Sequence, residues 1–312
     1  SVRYKPDFLG VHKISVHING IPAEGSPISV EAVCEHKYQS LGAIKYTLKG
    51  DSQQTFSFDK PWGICCSSKG VIFIGDRGHH TIRVFSPNFI YSHSIGSEGS
   101  NPGQLNRPAG LAINSSDQLV VADKENHRIQ VFCAQGSVIS VFGEQSSGTS
   151  PLNYPWGVAI GPDDSVLVTD RSRRISMFTI DGAFIRYFAD DSKILHRPRG
   201  VYYRELDYRI ITADMDKHQI IIVETQTSND SLKDNHPSRI GRSGNNPNEL
   251  SRPQGLTCDS EGNIIVADSR NGRVQVFDGD GNYLCHWVIE PPPQEDRPAQ
   301  PMDVCVTPSG SI

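Results

Sequence analysis

The chain has 312 residues, of which 37% are hydrophobic and 21% charged, and its formal net charge is −5. This negative charge argues against a protein that coats nucleic acid indiscriminately, although it leaves room for a local basic surface. No apolar run approaches the roughly 20 residues that a membrane-spanning helix requires, and no N-terminal segment resembles a signal peptide. The 28 glycines and 20 prolines are spread at turn spacing, which favours many short strands over helices.

Residues 1–33 differ in pattern from the rest of the chain. Polar and apolar residues alternate through 12–18, and the Asn19-Gly20 pair that follows is a hairpin signal. We interpret this segment as the last strands of a β-sandwich. A sandwich needs two sheets to bury its inner faces, so we expect its earlier strands to be missing here. Residues 34–40 are predicted to be a short polar linker.

Residues 41–312 contain a repeated box in which a proline stands two positions before a glycine. Its copies lie at residues 60–63, 107–110, 154–157, 197–200 and 252–255, with a weaker copy at 300–303. The box glycines are separated by 47, 47, 43 and 55 residues. A period of this length predicts an array of one supersecondary unit.

Each unit is predicted to form four antiparallel strands, which is a β-propeller blade. The first strand follows the box, and the second is a short apolar run that ends at an aspartate. Strict alternation in the third strand, as in residues 128–132 and 273–277, predicts one buried and one wetter face. A fourth strand ends the unit, as in residues 138–142.

The two ends of the repeat region predict a closed ring of six blades. Residues 43–49 resemble a fourth strand that precedes the first full unit, whereas residues 302–307 resemble a first strand with no fourth strand after it. Sharing one blade between the ends would hide the sheet edges that a flat array exposes. Since the sequence stops at Ile312, we expect a truncated chain that lacks roughly twenty residues of the shared blade.

The fullest repeat pattern is A-D-x-x-N-H-R-I-Q-V-F, at residues 122–132 and, with small changes, at 267–277. Together with the boxes it resembles NHL repeats. The first segment resembles the end of a filamin-type immunoglobulin repeat, with V-x-Y-x-P at 2–6, G-x-H-x-I-x-V at 10–16 and G-S-P-I-x-V at 25–30. This order of domains resembles the C-terminal half of the tripartite-motif (TRIM) NHL proteins, especially the branch linked to developmental timing and microRNA pathways.

The resemblance implies an all-β fold: a six-bladed NHL β-propeller preceded by the last strands of a filamin-type Ig-like sandwich. It also implies a cytoplasmic repressor of messenger RNAs, with a role in post-transcriptional regulation, gene silencing and development. The ubiquitin-ligase RING domain of that family would lie outside this chain. We therefore expect no enzymatic activity, no cofactor, no metal, no membrane and no small-molecule substrate.

The aspartate that ends the second strand recurs in every complete unit, which favours a structural role because a catalytic residue would occur once. We expect these aspartates to pair with loop amides or with the arginine or histidine that follows. The copies are Asp76, Asp123, Asp170, Asp214 and Asp268. The same argument applies to the repeated His80, His127 and His218, since a zinc site would require them to converge.

The residue before each box proline is basic in four of the six copies and acidic in none. Such a residue is expected to be extended and to enter the innermost strand of its blade. The six copies would then form a circle around the axial opening on one face of the ring. They are Lys60, Arg107, Tyr154, Arg197, Arg252 and Gln300.

In the family that the chain resembles, the arginine of the R-P-x-G box contributes to RNA binding. This implication applies most directly to Arg107, Arg197 and Arg252, less securely to Lys60 and Tyr154, and not to Gln300. Asp303 stands where the last box would have its glycine. We expect this carboxylate to weaken phosphate binding on its side.

The loops after the aspartates add further positive charge on the same predicted face. They contain nine basic residues: Arg77, Lys124, Arg128, Arg171, Arg173, Arg174, Lys217, Arg270 and Arg273. Tyr154, Trp156, His79 and His80 are candidate stacking platforms for unpaired bases. The candidate RNA-binding residues are Arg107, Arg197, Arg252, Lys60, Tyr154, Arg199, Arg77, His79, Lys124, Arg171, Arg173, Lys217 and Arg270.

The sequence thus predicts an RNA-binding module that recognises a structured element of messenger RNA, a stem-loop, through a basic propeller face. The alternative is a protein-interaction scaffold that binds a partner peptide on the same face or through the filamin portion. A third hypothesis is a metal-dependent lyase, because some NHL propellers are enzymes. A solvated basic rim without a ligand is the structural alternative to all three.

Overall fold

The computed structural model describes residues 10–14, 17–18, 21–22, 28–32, 58–144, 151–189, 193–225, 237–289 and 299–312. The chain divides into two compact units, Ser1–Tyr46 and Thr47–Ile312. The predicted linker at 34–40 and the predicted strand at 43–49 both lie outside the described residues. The domain boundaries inferred from the sequence therefore stay predictions.

In the smaller unit, two antiparallel strand pairs are described. Strand β1 (Gly10–Ile14) pairs with β4 (Ile28–Ala32), and β2 (His17–Ile18) pairs with β3 (Ile21–Pro22). The second pair has Ile18 opposite Ile21, which is the two-residue hairpin register that Asn19-Gly20 predicts. The assignment of this unit to a filamin-type domain stays a prediction.

The larger unit is an all-β propeller that contains five four-stranded antiparallel sheets in the described residues. In each of them the strands lie side by side in chain order. The first sheet contains β5 (Pro61–Cys66), β6 (Ile72–Asp76), β7 (Thr81–Phe85) and β8 (Tyr91–Ile95). The second contains β9 (Leu111–Ile113), β10 (Leu119–Asp123), β11 (Arg128–Phe132) and β12 (Val138–Phe142).

The remaining sheets repeat this plan. The third contains β13 (Val158–Ile160), β14 (Val166–Thr169), β15 (Ile175–Phe178) and β16 (Phe184–Phe188). The fourth contains β17 (Pro198–Arg204), β18 (Arg209–Asp214), β19 (Gln219–Glu224) and β20 (Ser238–Ile240). A short parallel pair, β21 (Arg242–Ser243) with β22 (Glu249–Leu250), precedes the fifth sheet. That sheet contains β23 (Leu256–Cys258), β24 (Ile264–Asp268), β25 (Arg273–Phe277) and β26 (Tyr283–Val288).

Helical structure in the described residues is limited to short 3₁₀ turns. They span Lys124–Asn126, Pro162–Asp164 and Ser269–Asn271. The first and last of these turns directly follow a second strand and carry the residues after its terminal aspartate.

The core lies between neighbouring sheets. One apolar cluster joins Val120 and Ile129 of the second sheet to Val166 and Phe178 of the third. Because each sheet is covered on both faces, every residue of β6, β10 and β24 is buried. The repeat therefore has no stable core of its own and depends on its neighbours.

The prediction of a wetter face on the third strand was wrong. Every residue of β11 and β25 is buried, including Gln130 and Gln275, which are 0% exposed. These glutamine side chains donate to the carbonyl oxygens of Gln104 and Glu249, at 2.6 Å in each case. The alternation marks a buried hydrogen-bonding position and not a solvated face.

The box glycines lie where the innermost strands of adjacent sheets touch. The Gly110 amide donates to the Trp156 carbonyl at 2.7 Å, and the Gly200 amide donates to the Gln254 carbonyl at 2.9 Å. A Cβ atom at Gly63 would overlap the carbonyl oxygen of the next box. Glycine recurs there because the adjacent backbone leaves no room for a side chain.

Residues 302–306 line the same central cavity as the innermost strands of the five sheets. The Gly255 amide donates to the Met302 carbonyl at 3.0 Å, and the Ile64 amide donates to Asp303 Oδ2 at 3.1 Å. This last segment thus contacts both the fifth and the first sheet. The full prediction of a shared sixth blade depends on 43–49, which lie outside the described residues.

Candidate nucleic-acid interface

The boxes and the loops after the repeat aspartates lie at the same end of the propeller. In the first sheet Pro61 pairs with Asp76, and in the fourth Pro198 pairs with Asp214. Since the paired strands are antiparallel, the loop that follows each aspartate begins beside a box. We call this end the upper face.

The repeat aspartates are structural, as predicted. All five are 0% exposed, and each accepts a backbone N–H from the residue two positions before a box proline. The distances run from 2.6 Å, from Asn106 to Asp123 and from Ser251 to Asp268, to 3.1 Å, from Asn153 to Asp170. They fix the entry of the chain into each innermost strand.

Four repeat aspartates also bind an arginine that lies in the third strand of the same sheet or directly before it. Nε of Arg128 lies 2.8 Å from Asp123 Oδ2, and Nε of Arg273 lies 2.8 Å from Asp268 Oδ2. Arg83 and Arg174 make the equivalent contact in the first and third sheets, at 3.0 and 3.3 Å. We call Arg83, Arg128, Arg174 and Arg273 the anchored arginines.

The fourth sheet departs from this plan, because Gln219 stands where the arginine would be. Asp214 instead accepts backbone N–H groups from His196, Arg197 and Lys217, at 2.7 to 3.2 Å. In the third sheet, burial outweighs the contact with Arg174 and raises the pKa of Asp170.

The anchored arginines reduce the positive charge that a ligand meets on the upper face. Arg128 and Arg273 are 3% and 5% exposed, and their guanidinium groups also donate to backbone carbonyls of the preceding loop. Together with Arg174 they were counted among the nine loop cations. They belong to the scaffold.

Four of the six residues before the box prolines are not extended, so the expectation was wrong for these four. Lys60, Arg107, Tyr154 and Arg252 have φ values of 55°, 52°, 48° and 53°, in the left-handed region that non-glycine residues adopt at a cost. A contact from the preceding sheet accompanies this conformation in three of them. Their backbone N–H groups donate to the Nδ1 atoms of His80, His127 and His218, at 3.4, 3.3 and 3.2 Å.

The repeated histidines therefore connect one sheet to the next. Nδ1 must be the unprotonated nitrogen to accept these N–H groups. In the third sheet Arg173 occupies the histidine position, and Arg197, the next residue before a box proline, does not have a positive φ. The histidine contact thus accompanies the left-handed conformation at Arg107, Tyr154 and Arg252.

The side chains before the box prolines differ in exposure. Lys60, Arg107, Arg197 and Gln300 are exposed, whereas Tyr154 and Arg252 are half-buried. Nη1 of Arg197 lies 3.5 Å from the carboxylate of Asp216. We call Arg107, Arg197 and Arg252 the rim arginines.

Inside the rim, three cations surround two tryptophan rings that line the central cavity. The Trp62 and Trp156 centroids are 5.1 Å apart. Over the Trp156 ring lie Cζ of Arg199 at 3.4 Å, Nζ of Lys124 at 4.8 Å and Cζ of Arg77 at 5.3 Å. The tryptophans thus hold cations by cation–π contacts, and Trp156 does not offer an open stacking face.

Charge crowding and burial weaken the protonated state of these cations. Burial and the neighbouring Arg197 lower the pKa of Arg199 to about 9. Burial lowers the pKa of Lys124, against the opposing effect of its ion pair with Glu125, and burial also lowers the pKa of Arg77. A bound anion would relieve both causes.

Tyr154 links the rim to this inner cluster. Its ring lies 4.1 Å from the His127 ring, 4.9 Å from Nζ of Lys124 and 5.6 Å from Cζ of Arg171. Like Trp156, it is surrounded by protein groups and not poised as a free platform.

Other predicted site residues are not part of this cluster. His79 Nδ1 contacts Asp76 Oδ2 at 2.9 Å, so this side chain supports a repeat aspartate. Lys217 Nζ donates to the carbonyls of Lys193 and Ile194 at 2.7 and 3.3 Å. Arg173 and Arg270 are exposed on loops that follow repeat aspartates.

Asp303 is half-buried and lines the central cavity, and its expected effect on phosphate binding stays a prediction. Its carboxylate accepts N–H groups from Ile64 and Val304 at 3.1 and 2.9 Å. Burial raises its pKa to about 7.

The cavity inside the ring has a volume of about 900 Å³. Besides the tryptophans, its lining includes Arg199 and Gln254. Sequence reasoning did not single out Gln254, although it fills the box position that Arg199 fills one sheet earlier, and comparing copies position by position would have found it. Within the described ranges, no three His, Cys, Asp or Glu side chains cluster as a metal site would require, and no helix is long and apolar enough to cross a membrane.

The NHL repeat family model matches residues 58–85, 105–132, 152–174 and 250–277. E3 ubiquitin-protein ligase TRIM71 of Xenopus tropicalis is 35% identical over 92 residues, which are 30% of this chain and 11% of that protein. Protein lin-41 of Caenorhabditis elegans is 49% identical over 45 residues, 14% of this chain and 4% of that protein. The chain therefore contains NHL repeats, and over these segments it is similar to TRIM71 and lin-41. Each match spans only a small part of the relative.

Solved structures with the same architecture include enzymes and a binding protein. A putative gluconolactonase has a TM-score of 0.60 and 17% identity, over 81% of this chain and 84% of its own. A streptogramin B lyase has a TM-score of 0.56 and 13% identity, over 77% of this chain and 72% of the lyase chain. A chain of a nidogen/laminin complex has a TM-score of 0.56 and 18% identity, over 73% of this chain and 80% of the matched chain. At these identities the likeness shows the propeller fold alone.

Proposed function

We propose that this chain binds RNA through the upper face of its propeller and takes a stem-loop by phosphate contacts and a few unpaired bases. The observation that carries the proposal is the concentration of cations around the axial opening. Six of them meet there, namely Arg77, Arg107, Lys124, Arg197, Arg199 and Arg252, and the nearby carboxylates in the described residues are Glu125 and Asp216. The whole chain, in contrast, has a net charge of −5.

The chemistry of these side chains favours a phosphate backbone. Guanidinium groups match phosphate oxygens in two-point contacts, which an ammonium group does not provide. The rim arginines stand on rigid strand entries, so a bound backbone would be recognised by its shape. Rigid placement also lowers the entropy cost of binding.

The test measures the binding of hairpin RNAs with randomised loops to Arg107→Ala, Arg197→Ala and Arg252→Ala, singly and together. Fluorescence anisotropy reports the affinity of each variant at several salt concentrations. Each single variant is expected to lose about 1–3 kcal/mol of binding free energy and to lower the salt slope by about one. The matched control is Arg186→Ala/Arg239→Ala/Arg242→Ala, which removes three exposed charges, two on the outer strands β16 and β20 and one on the short strand β21. Wild-type affinity of the rim triple variant would overturn the proposal.

Binding of a partner protein is the second candidate. The contacts of Arg197 with Asp216 and of Lys124 with Glu125 illustrate that these cations accept carboxylates, so an acidic peptide fits the same face. A pull-down from lysate, repeated after nuclease treatment, separates the two functions. Partners that survive the nuclease and are lost with the rim triple variant would favour a protein ligand.

Because the chain resembles the TRIM-NHL proteins, we also propose that the whole protein represses messenger RNAs and that this propeller supplies the RNA contact. We also propose six blades. The contacts of residues 302–306 with Gly255 and Ile64 support a sixth innermost segment between the fifth and first sheets. Catalysis within this chain is not part of the proposal.

A further inference from the structure

The strongest unassigned feature is a pair of buried polar side chains at the mouth of the central cavity. Arg199 and Gln254 occupy the same position in two successive boxes, and both line the cavity. The hydrogen bond from the Gly200 amide to the Gln254 carbonyl, at 2.9 Å, holds the two boxes side by side.

Both side chains leave buried polar atoms without a partner. Arg199 is 9% exposed and Gln254 is 6% exposed. In the part of the chain that the structure describes, Nε and Nη1 of Arg199 and Oε1 of Gln254 have no hydrogen-bond partner. Leaving such atoms unsatisfied costs stability, so their retention points to a ligand that satisfies them.

The groups around Arg199 and Gln254 determine which hydrogen-bonding groups the ligand must carry. The Arg199 guanidinium lies 3.4 Å from the Trp156 ring centroid, which sets its plane and presents its edge as hydrogen-bond donors. Gln254, in the adjacent box, adds an acceptor to the same cavity. The ligand must therefore offer acceptors and a donor along one edge.

A phosphate group does not meet this requirement, because it offers only acceptors and would leave the Gln254 oxygen unsatisfied. A nucleobase edge offers both kinds of group. Guanine carries N7 and O6, two adjacent acceptors that arginine recognises in pairs, followed by the N1–H donor. Adenine places a donor beside N7 and fits the two N–H groups of Arg199 less well.

We propose that Arg199 and Gln254 form a subsite for the edge of one unpaired guanine, with N7 and O6 facing Arg199 and N1–H facing Gln254. The inference rests on the proposed RNA binding and names the base that the axial mouth selects. Arg197, Arg252 and Arg77, which surround Arg199, would take the flanking phosphates.

The experiment uses the full chain and a set of hairpins that differ in one loop position, which carries guanine, adenine, cytosine, uracil or 7-deazaguanine. The wild-type chain is expected to bind the hairpin with guanine at this loop position at least tenfold more tightly than the hairpins with any other base there. The hairpin with 7-deazaguanine should also bind more weakly. The modified base tests the contact with N7 without any change to the protein. Loss of affinity should come with an unchanged salt slope, because no phosphate contact is removed.

Two variants complete the design. Arg199→Lys keeps the charge and Gln254→Leu keeps the approximate size, and each should reduce the preference for guanine to less than threefold; Arg186→Lys, on an outer strand, should leave it intact. Tight binding without base preference would overturn the subsite and leave the proposed function standing. Failure of every hairpin to bind would instead overturn the RNA-binding function.

Discussion

The upper face carries arginines of two kinds, and their comparison separates scaffold from site. The anchored arginine Arg128 is 3% exposed and lies 2.8 Å from the buried carboxylate of Asp123. The rim arginine Arg197 has a side chain that is 47% exposed and lies 3.5 Å from the partly exposed Asp216. The anchored and the rim arginines carry the same charge, and both recur from one repeat to the next. The difference is whether a fully buried carboxylate lies within reach.

This difference decides what each set contributes. Removing a cation from a buried carboxylate leaves an uncompensated charge, whereas an exposed pair is worth between nothing and about 1 kcal/mol. Arg128 also donates through Nη2 to the carbonyls of Asn101 and Gln104, at 2.8 and 3.0 Å. It thereby ties the second sheet to the loop that precedes it. We expect anchored arginines to affect folding and rim arginines to affect binding.

The largest expected effect is that of Arg128→Ala. It should lower the free energy of unfolding by about 3–5 kcal/mol, because Asp123 would remain buried without its cation. Urea unfolding monitored by tryptophan fluorescence measures this loss. The control Arg107→Ala should change the same quantity by less than about 0.5 kcal/mol. Equal losses in the two variants would contradict the division into two sets.

A half-buried carboxylate that is held by backbone N–H groups extends the comparison. Asp303 is held by backbone N–H groups, and burial raises its pKa to about 7. Its folded pKa lies above its unfolded pKa, so the folded state binds the extra proton between about pH 4 and pH 7. The free energy of unfolding should therefore rise as the pH falls through this window, by at most about 4 kcal/mol.

The measurement compares the wild-type chain with Asp303→Asn in urea titrations at pH 5, 6, 7 and 8. The stability difference between them should shrink as the pH falls, since the asparagine does not ionise. A difference that is constant across the series would mean that Asp303 is ionised throughout and stabilised by its hydrogen bonds.

The propeller was predictable from the sequence because its causes are local and repeated. A glycine stands wherever a neighbouring backbone touches the innermost strand, as at Gly63 and Gly200, and an aspartate stands wherever a box entry needs an acceptor. The burial of Gln130 was not predictable in this way. It follows from the loop carbonyl of Gln104 and from adjacent sheets, which no periodicity within one strand reveals.

The candidate site was predictable in its position but not in its geometry. The position before the box proline predicted the rim arginines. The left-handed conformation of Arg107 was not predicted, because it accompanies a contact with His80, which lies 27 residues earlier in the chain. Arg199 and Arg128 were both assigned to the predicted basic face, and only their contacts place one in the cavity and the other in a buried ion pair.

A smaller effect is expected for the histidines that position the rim. In His218→Ala the backbone N–H of Arg252 loses its acceptor, which should release the left-handed conformation and lower RNA affinity about three- to tenfold without a change in fixed charge. A contact of this kind contributes about 1 kcal/mol. The hairpin titration of the rim variants measures the loss. The control His286→Ala removes an imidazole from the outer strand β26, and a similar loss there would remove the positional role of His218.

The smallest expected effect comes from the carboxylate that opposes the rim. Asp216→Asn removes the partner of Arg197 at 3.5 Å, which should leave stability unchanged, because the pair is partly exposed, and raise RNA affinity about twofold. The control Asp280→Asn removes the same charge from an exposed turn outside the upper face. If both variants bind RNA equally tightly, the gain comes from the net charge of the whole chain. A gain confined to Asp216→Asn means that RNA and Asp216 compete for one guanidinium, which places the ligand on the rim.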